Sequence, residues 1–353
     1  MTEQALPRIL FFSADSMGCG FYRTAQPAKW LRKLSWEIRM GDTNKIESKD
    51  IDWADLMVIQ RPSSSFQISA IQYAKSQGKK VVFELDDYIQ GILPSNPGYE
   101  AWKPERLNLA RTCHAMRLAD AVTTTTELLA NEWKQFNKNI YVLPNYLDFT
   151  LWNKRIAFRD TERIRIGWIG GCSHQADLEV IAQPMIDICR EFPKVKFVLM
   201  GFIPEKVFEA IPSMAEPCKA CGYEGQIEFR QGVEVLKFPS TIATTSIDIG
   251  LAPIIDISFN RTKSDLKLKE YMRLGVPWIA SDVTPYQPWR TSGAGYVVSN
   301  HPEDWKQHLK LLIKDKEIRK SLGEKGYELS GDFSIARHID KWKLAYLKIL
   351  GKL

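Results

Sequence analysis

The chain lacks most of the features that settle a protein's class at a glance. No apolar run in its 353 residues approaches the ~18 needed for a membrane-spanning helix. The amino terminus, MTEQALPRILFF, has no basic stretch leading into an apolar one and a cleavage site. That excludes a secretory signal and makes the cytoplasm the expected location. No internal repeat and no low-complexity tract is visible. Cysteine is scarce: Cys19, Cys113, Cys172, Cys189, Cys218 and Cys221 do not make a disulfide framework in a cytoplasmic chain of this size. Cys218 and Cys221 form C-x-x-C-G, half of a zinc knuckle, but no second C-x-x-C or H-x-x-H supplies the other ligands. A reduced or occasionally oxidised surface pair competes with zinc there. Charge imbalance is small. A net charge of +6 permits nucleotide phosphates, nucleic acid or anionic lipid as partners and demands none of them.

What is present reads as α/β. With 44% hydrophobic and 25% charged residues, the chain can build two cores of ordinary size. Strand-like runs at 8–14, 55–60, 80–85, 121–125 and 140–143 recur at the spacing of alternating strands and helices. A second series follows at 163–169, 195–200, 227–232, 247–253 and 276–281, after a polar linker at 149–161. Ligands of open parallel sheets sit beyond the carboxyl ends of the strands. That rule picks out Gln60, Arg61, Asp86, Asp87 and Tyr88 in the first half. The first strand runs into a loop with Gly18 and Gly20, where backbone N–H groups can approach an anion; a simple tight turn is the alternative. Arg23 stands where the dinucleotide fingerprint has its third glycine, which argues against an NAD-dependent dehydrogenase. A long loop at 88–104 is placed as a binding loop or lid. The basic helix predicted at 103–118, with Arg106, Arg111, His114 and Arg117, has the ordinary reading of a solvated face. In the second half Gly170 and Gly171 follow a strand and precede a helix, again allowing close approach to phosphate. Ser334 reads as the cap of a last helix with an apolar stripe of Ile335, Ile339, Trp342, Tyr346 and Ile349.

The stretch 247–285 organises the rest. Its spacing predicts a buried strand, a loop, a helix from about 265 to 274 capped by Ser264 and ended by Gly275, and another strand. Lys263 and Lys267 sit at the helix start, where the macrodipole makes each cation unfavourable by roughly 0.3–1 kcal/mol. A bound anion reverses that sign. Lys263, Lys267 and Glu270 share one face, and the set suits a diphosphate followed by a ribose whose hydroxyls donate to Glu270. The alternative is a solvated Lys/Glu face.

The same stretch resembles the donor segment of retaining, GT-B-fold glycosyltransferases of the family-4 type. It is most similar to a subgroup reading L-x-P…F-N-x-x-K-S-x-x-K-x-x-E-Y…G-x-P…S, matched here by Leu251, Pro253, Phe259, Asn260, Lys263, Ser264, Lys267, Glu270, Tyr271, Gly275, Pro277 and Ser281. Gly167, Trp168, Gly170, His174, Asp177 and Leu178 match a second subgroup segment, with Gly171 in the place of a serine. Pro144, Asn145 and Asp148 resemble the family's interdomain P-N-x-x-D. Two departures stand out. The family's first glutamate, which usually touches the donor sugar, falls at Thr262, and its usual His-Asp pair is Asp86-Asp87.

The resemblance implies two Rossmann-like domains facing across a cleft: 1–150 plus a crossing helix at 334–353, and 160–330. It implies a nucleotide-diphosphate sugar as donor, a UDP-sugar being favoured, and no metal or other cofactor. Donor contacts are expected from Gly18, Gly20, Arg23, Gly170, Gly171, His174, Val233, Lys263, Lys267 and Glu270. Asp86, Asp87 and Lys267 are the expected catalytic groups, with Gln60, Arg61 and Tyr88 on the acceptor side. The acceptor is a saccharide or glycan precursor, or alternatively a hydroxymethylated base in DNA. A catalytically decayed transferase fold is the rival from another class.

Overall fold

A computed structural model describes residues 6–96, 98–171, 174–201 and 226–353. Cys172, Cys218 and Cys221 lie outside the described residues, and with them the C-x-x-C pair. Cys19 and Cys113 are free thiols. Among the described residues no helix is long and apolar enough to cross a membrane.

The chain folds around two six-stranded, all-parallel sheets. The first has the order β2-β1-β3-β4-β5-β6, from Glu37–Asp42, Arg8–Ser13, Leu56–Gln60, Lys80–Glu84, Ala121–Thr124 and Ile140–Val142. The second has the order β12-β11-β10-β7-β8-β9, from Gly295–Val298, Trp278–Ser281, Ile249–Ala252, Arg165–Ile169, Lys196–Met200 and Ile227–Arg230. Helices cover both faces, so central strands such as β3 (LMVIQ) and β10 (IGLA) are buried at every position. Two edge strands, β2 and β12, escape the sequence reading. β2 (EIRMGD) is mostly exposed and carries no apolar run to mark it.

Each sheet reverses its winding once, between β1 and β3 in the first and between β7 and β10 in the second. Such switch points open crevices at the carboxyl ends of the strands. The helix leaving β1 is continuous from Gly18–Gly20 through a π-helical turn, Phe21–Ala25, into Gln26–Arg32. The π turn widens the helix locally, a feature often found at functional sites. It places Phe21 and Tyr22 in a core shared with Trp152, Leu268, Tyr271 and Met272 of the second half. The last helix, Ile335–Ile349, is capped by Ser334 and returns to the first sheet, where its apolar stripe meets Ile9, Phe11, Ala28 and Leu31.

Three local expectations change. The helix at 265–274 begins at Leu266; Asp265 occupies the cap without a side-chain cap bond, and the Ser264 hydroxyl instead accepts from Asn145 Nδ2 at 3.1 Å. A short helix, Ser258–Arg261, interrupts the loop before it. The basic run 103–118 is not one helix: Leu107 is left-handed (φ 58°), separating a turn at Pro104–Arg106 from the helix Asn108–Leu118. Gly275 ends the helix Leu266–Leu274 at φ 73°, as its position predicts.

Candidate functional site

At the first switch point the glycine loop holds an anion of its own. Asp15 Oδ1 accepts from Met17 N (2.8 Å) and Gly20 N (2.9 Å), while Oδ2 pairs with Arg61. A Cβ on Gly20 would lie 1.9 Å from Asp15 O, so only glycine fits. Gly18 opens the helix and is exposed. The helix N-terminus expected to receive a phosphate therefore receives a carboxylate. Arg61 is left-handed (φ 47°) beyond β3. Burial opposes its charge, but Asp86, Cys19, Asp15 and Asp87 together hold its pKa above the ordinary value.

Arg23 is corrected from a donor contact to a structural one. It is 1% exposed, donates from Nε and Nη2 to Glu84 (2.7 and 3.2 Å), and from Nη1 to Leu143 O (2.6 Å) and Asn145 Oδ1 (2.9 Å). No part of its guanidinium reaches the cleft surface. Gln60 lies beneath the rim, fully buried, with Oε1 accepting from Ala14 N at 3.0 Å. Tyr88 is half-buried: its ring packs on Trp133 (5.6 Å), and its hydroxyl is drawn to Glu132.

Asp86 and Asp87 follow β4 as expected and meet Cys19 there. One ligand atom from each of the three lies within 4.8 Å of the others. Asp86 Oδ1 is buried without a hydrogen-bond partner. The Asp87 carboxyl is raised above the usual range by burial, against the pull of Lys263 and with the push of Asp86. The cluster can orient a hydroxyl and accept its proton.

The second switch point is built differently. Gly170 N donates to Met200 O (3.0 Å), and Gly171 is exposed, with nothing within 4 Å of where a Cβ would stand. The turn is open. His174 follows, its Nδ1 2.8 Å from Asp177 Oδ2 and its ring edge-on to Trp168. Burial, then Lys263, and further Lys267, push the His174 pKa down to about 4. Lys267 Nζ donates to Ile169 O and lies 5.1 Å from the centre of the Trp168 ring. Burial lowers its pKa to about 8. Lys263 lies over Phe259 at 4.5 Å. Glu270 accepts from Tyr22 of the first half at 2.9 Å, and burial raises it to about 7. Val233 packs against the core below.

The charges line up. Glu270 feels Lys267, His174 feels Lys263 and then Lys267, and Asp87 feels Lys263 across the cleft. Two positions the sequence reading did not assign hold the halves together here, Tyr22 on Glu270 and Asn145 between Arg23 and Ser264. A cavity of about 560 Å³ lined by Phe192, Pro193, Lys314 and Arg319 lies at the opposite, amino ends of β7 and β8 and contains none of the candidate residues.

No family model matches the chain, and no curated protein matches it. Solved structures do. Sucrose-phosphate synthase from Thermosynechococcus elongatus superposes with a TM-score of 0.73 at 14% identity, covering 99% of this chain and 100% of that one. The catalytic domain of starch synthase IV from Arabidopsis thaliana, bound to ADP and acarbose, gives 0.70 at 11% identity, covering 98% and 100%. The fold is GT-B. Anabaena HepE, in complex with UDP and glucose, gives 0.67 at 12% identity, covering 97% and 99%. The chain spans 55% of Staphylococcus aureus TarM, which matches 82% of it at a TM-score of 0.59 and 14% identity.

Proposed function

We propose that the chain is a glycosyltransferase that moves a sugar from a nucleotide-diphosphate sugar to an acceptor hydroxyl, with retention and without a metal. The observation that carries this reading is the convergence of Lys263, Lys267, Glu270 and His174 around an open glycine turn at the second switch point. In this reading residues 160–330 bind the donor, and 1–150 with the crossing helix 334–353 present the acceptor. Lys263, Lys267 and the start of the helix Leu266–Leu274 balance the charge that builds on the leaving diphosphate. Glu270 accepts from the ribose. A UDP-sugar is favoured, as two of the similar structures hold UDP and one holds ADP.

A saccharide acceptor fits better than DNA. The facing rim sets three carboxylates, Asp15, Asp86 and Asp87, against Arg61. That charge repels a phosphate backbone and suits hydroxyls. Two arginines of the basic stretch 103–118 are engaged locally: Arg111 donates to Arg106 O and Asn108 Oδ1 (3.3 and 3.5 Å), and Arg117 lies over Phe136 (4.8 Å).

Thermal unfolding in the presence of UDP-, GDP- and ADP-sugars tests the donor. A ligand at a hundred times its Kd adds about 2.7 kcal/mol of stability. The expected result is a shift with one nucleotide that disappears in Lys263→Ala/Lys267→Ala. No shift with any donor, with or without a glycan present, would replace the reading with a decayed fold. Glycans and hydroxymethylated DNA then compete as acceptors, and a steep loss of activity with salt would favour DNA.

A further inference from the structure

Asp177 is an acid with no assigned role that sits beneath the donor site. It lies in the first turn of the helix Gln175–Glu191 and is 4% exposed. Its Oδ1 accepts from Ile255 N and from Asn260 Nδ2, both at 2.9 Å, tying the loops after β10 to the loop after β7. Its Oδ2 lies 2.8 Å from His174 Nδ1. A carboxylate can only accept, so the shared proton belongs to Nδ1. Lys263 and Lys267 bear on the same ring and disfavour a second proton. The ring is then neutral, and Nε2 carries a lone pair. The side chain keeps 21% of its surface exposed, so the residue is not sealed off from solvent.

A bare Nε2 repels a phosphate oxygen and accepts from a hydroxyl. Lys263 bears on both His174 and Asp87, and Lys267 on both His174 and Glu270. The Thr262 hydroxyl cannot take the same role: it is buried and donates to Phe259 O at 3.1 Å. We infer that Asp177 is a positioning residue that holds His174 as a hydrogen-bond acceptor, and that His174 Nε2 takes a hydroxyl of the transferred sugar while the phosphates go to Lys263 and Lys267. The inference rests on the nucleotide-sugar reading and names the group that reads the sugar.

The substitution Asp177→Asn isolates the effect. An asparagine Oδ1 keeps the bonds from Ile255 and Asn260, while its amide donates to His174 Nδ1 and drives the ring proton to Nε2. Calorimetry with UDP and with UDP-glucose, and with the ADP pair, reads the result. In His174→Ala and Asp177→Asn the sugar nucleotide is expected to bind about tenfold more weakly, with the bare nucleotide changed by no more than about twofold. His174→Gln, which places an oxygen near the position of Nε2, is expected to recover part of the loss. Equal weakening of nucleotide and sugar nucleotide in Asp177→Asn would show a merely structural role and overturn the inference; so would no change in either. Ring ¹⁵N spectra of the ligand-free protein, assigned against His174→Gln, separate this from failure of the donor reading. They are expected to show Nδ1 protonated and Nε2 bare from about pH 5.5 to 8. A proton on Nε2 overturns the inference even if no nucleotide binds.

Discussion

The two switch points start from the same plan, a strand, a glycine turn and a helix, and they finish as opposites. After β1 the turn closes on Asp15, which takes N–H bonds from Met17 and Gly20 and a charge from Arg61. After β7 the turn at Gly171 stays open; Lys263 and Lys267 bear on His174 there, and the Asp177 carboxylate in the first turn of the helix is engaged by Ile255 N, Asn260 and His174. A helix N-terminus and a glycine turn are common to both, so neither feature says where a phosphate goes. What separates them is whether the protein's own carboxylate takes up the N–H groups of the turn, as Asp15 does and Asp177 does not.

The largest expected effect sharpens the contrast between two buried cations. Arg23→Ala leaves Glu84 buried without its partner and is expected to cost about 3–5 kcal/mol of stability, measured by denaturant unfolding. Lys267→Ala is expected to leave the midpoint nearly unchanged, because burial already disfavours that charge, and to reduce turnover by about 10²–10³. If Arg23→Ala were stable and lost donor binding, Arg23 would belong to the site after all.

Next in size is the comparison of the two turns. Gly20→Ala forces a Cβ against the Asp15 carbonyl and is expected to cost about 1–3 kcal/mol. Gly171→Ala meets no atom of the described residues, so its unfolding midpoint should not move. Any loss in Gly171→Ala is expected in donor Kd instead, since in the proposed reading the methyl would stand where the backbone approaches the phosphates. A Gly171→Ala protein that unfolds early would mean that this turn, too, is closed.

Much of the second site was legible in the sequence because its residues break a local rule. Two lysines at a helix start are unfavourable alone; Lys267 and Glu270 lie one turn apart on the helix Leu266–Leu274, and Lys263 lies just before it. Strands were legible where both faces are buried, as in LMVIQ, and missed where an edge strand carries no apolar run, as in EIRMGD. The first site was read less well for a physical reason. Arg23, Gln60 and Tyr88 all stand near the carboxyl ends of strands, but sequence position does not say which way a side chain turns. Arg23 turned inward because Glu84 lies on the neighbouring β4 with Thr123 beside it, a pairing 61 residues distant. Tyr22 was invisible as a site residue because its partner is 248 residues away, across the cleft.

That last contact makes the smallest and most diagnostic prediction. Glu270 has a pKa raised to about 7, so its protonated form is favoured by folding; the stabilising contribution is full below about 4.5 and lost as pH rises through 7. Donor binding has the opposite sign, because a ribose hydroxyl needs the carboxylate as acceptor. Lys267, lowered to about 8, loses its charge above that pH. Donor affinity is therefore expected to peak between about pH 7 and 8 and to fall on both sides. In Tyr22→Phe, Glu270 loses a bond that favours its charged form, so the acid limb should move to higher pH. Above the peak the same change removes a competitor of the ribose, and affinity should rise by up to about fivefold, the worth of one hydrogen bond of about 1 kcal/mol. Donor Kd measured against pH for both proteins checks the two shifts together. An acid limb that stays in place, with affinity unchanged at high pH, would mean that Tyr22 and Glu270 do not meet in solution and that the two rims are joined without this contact.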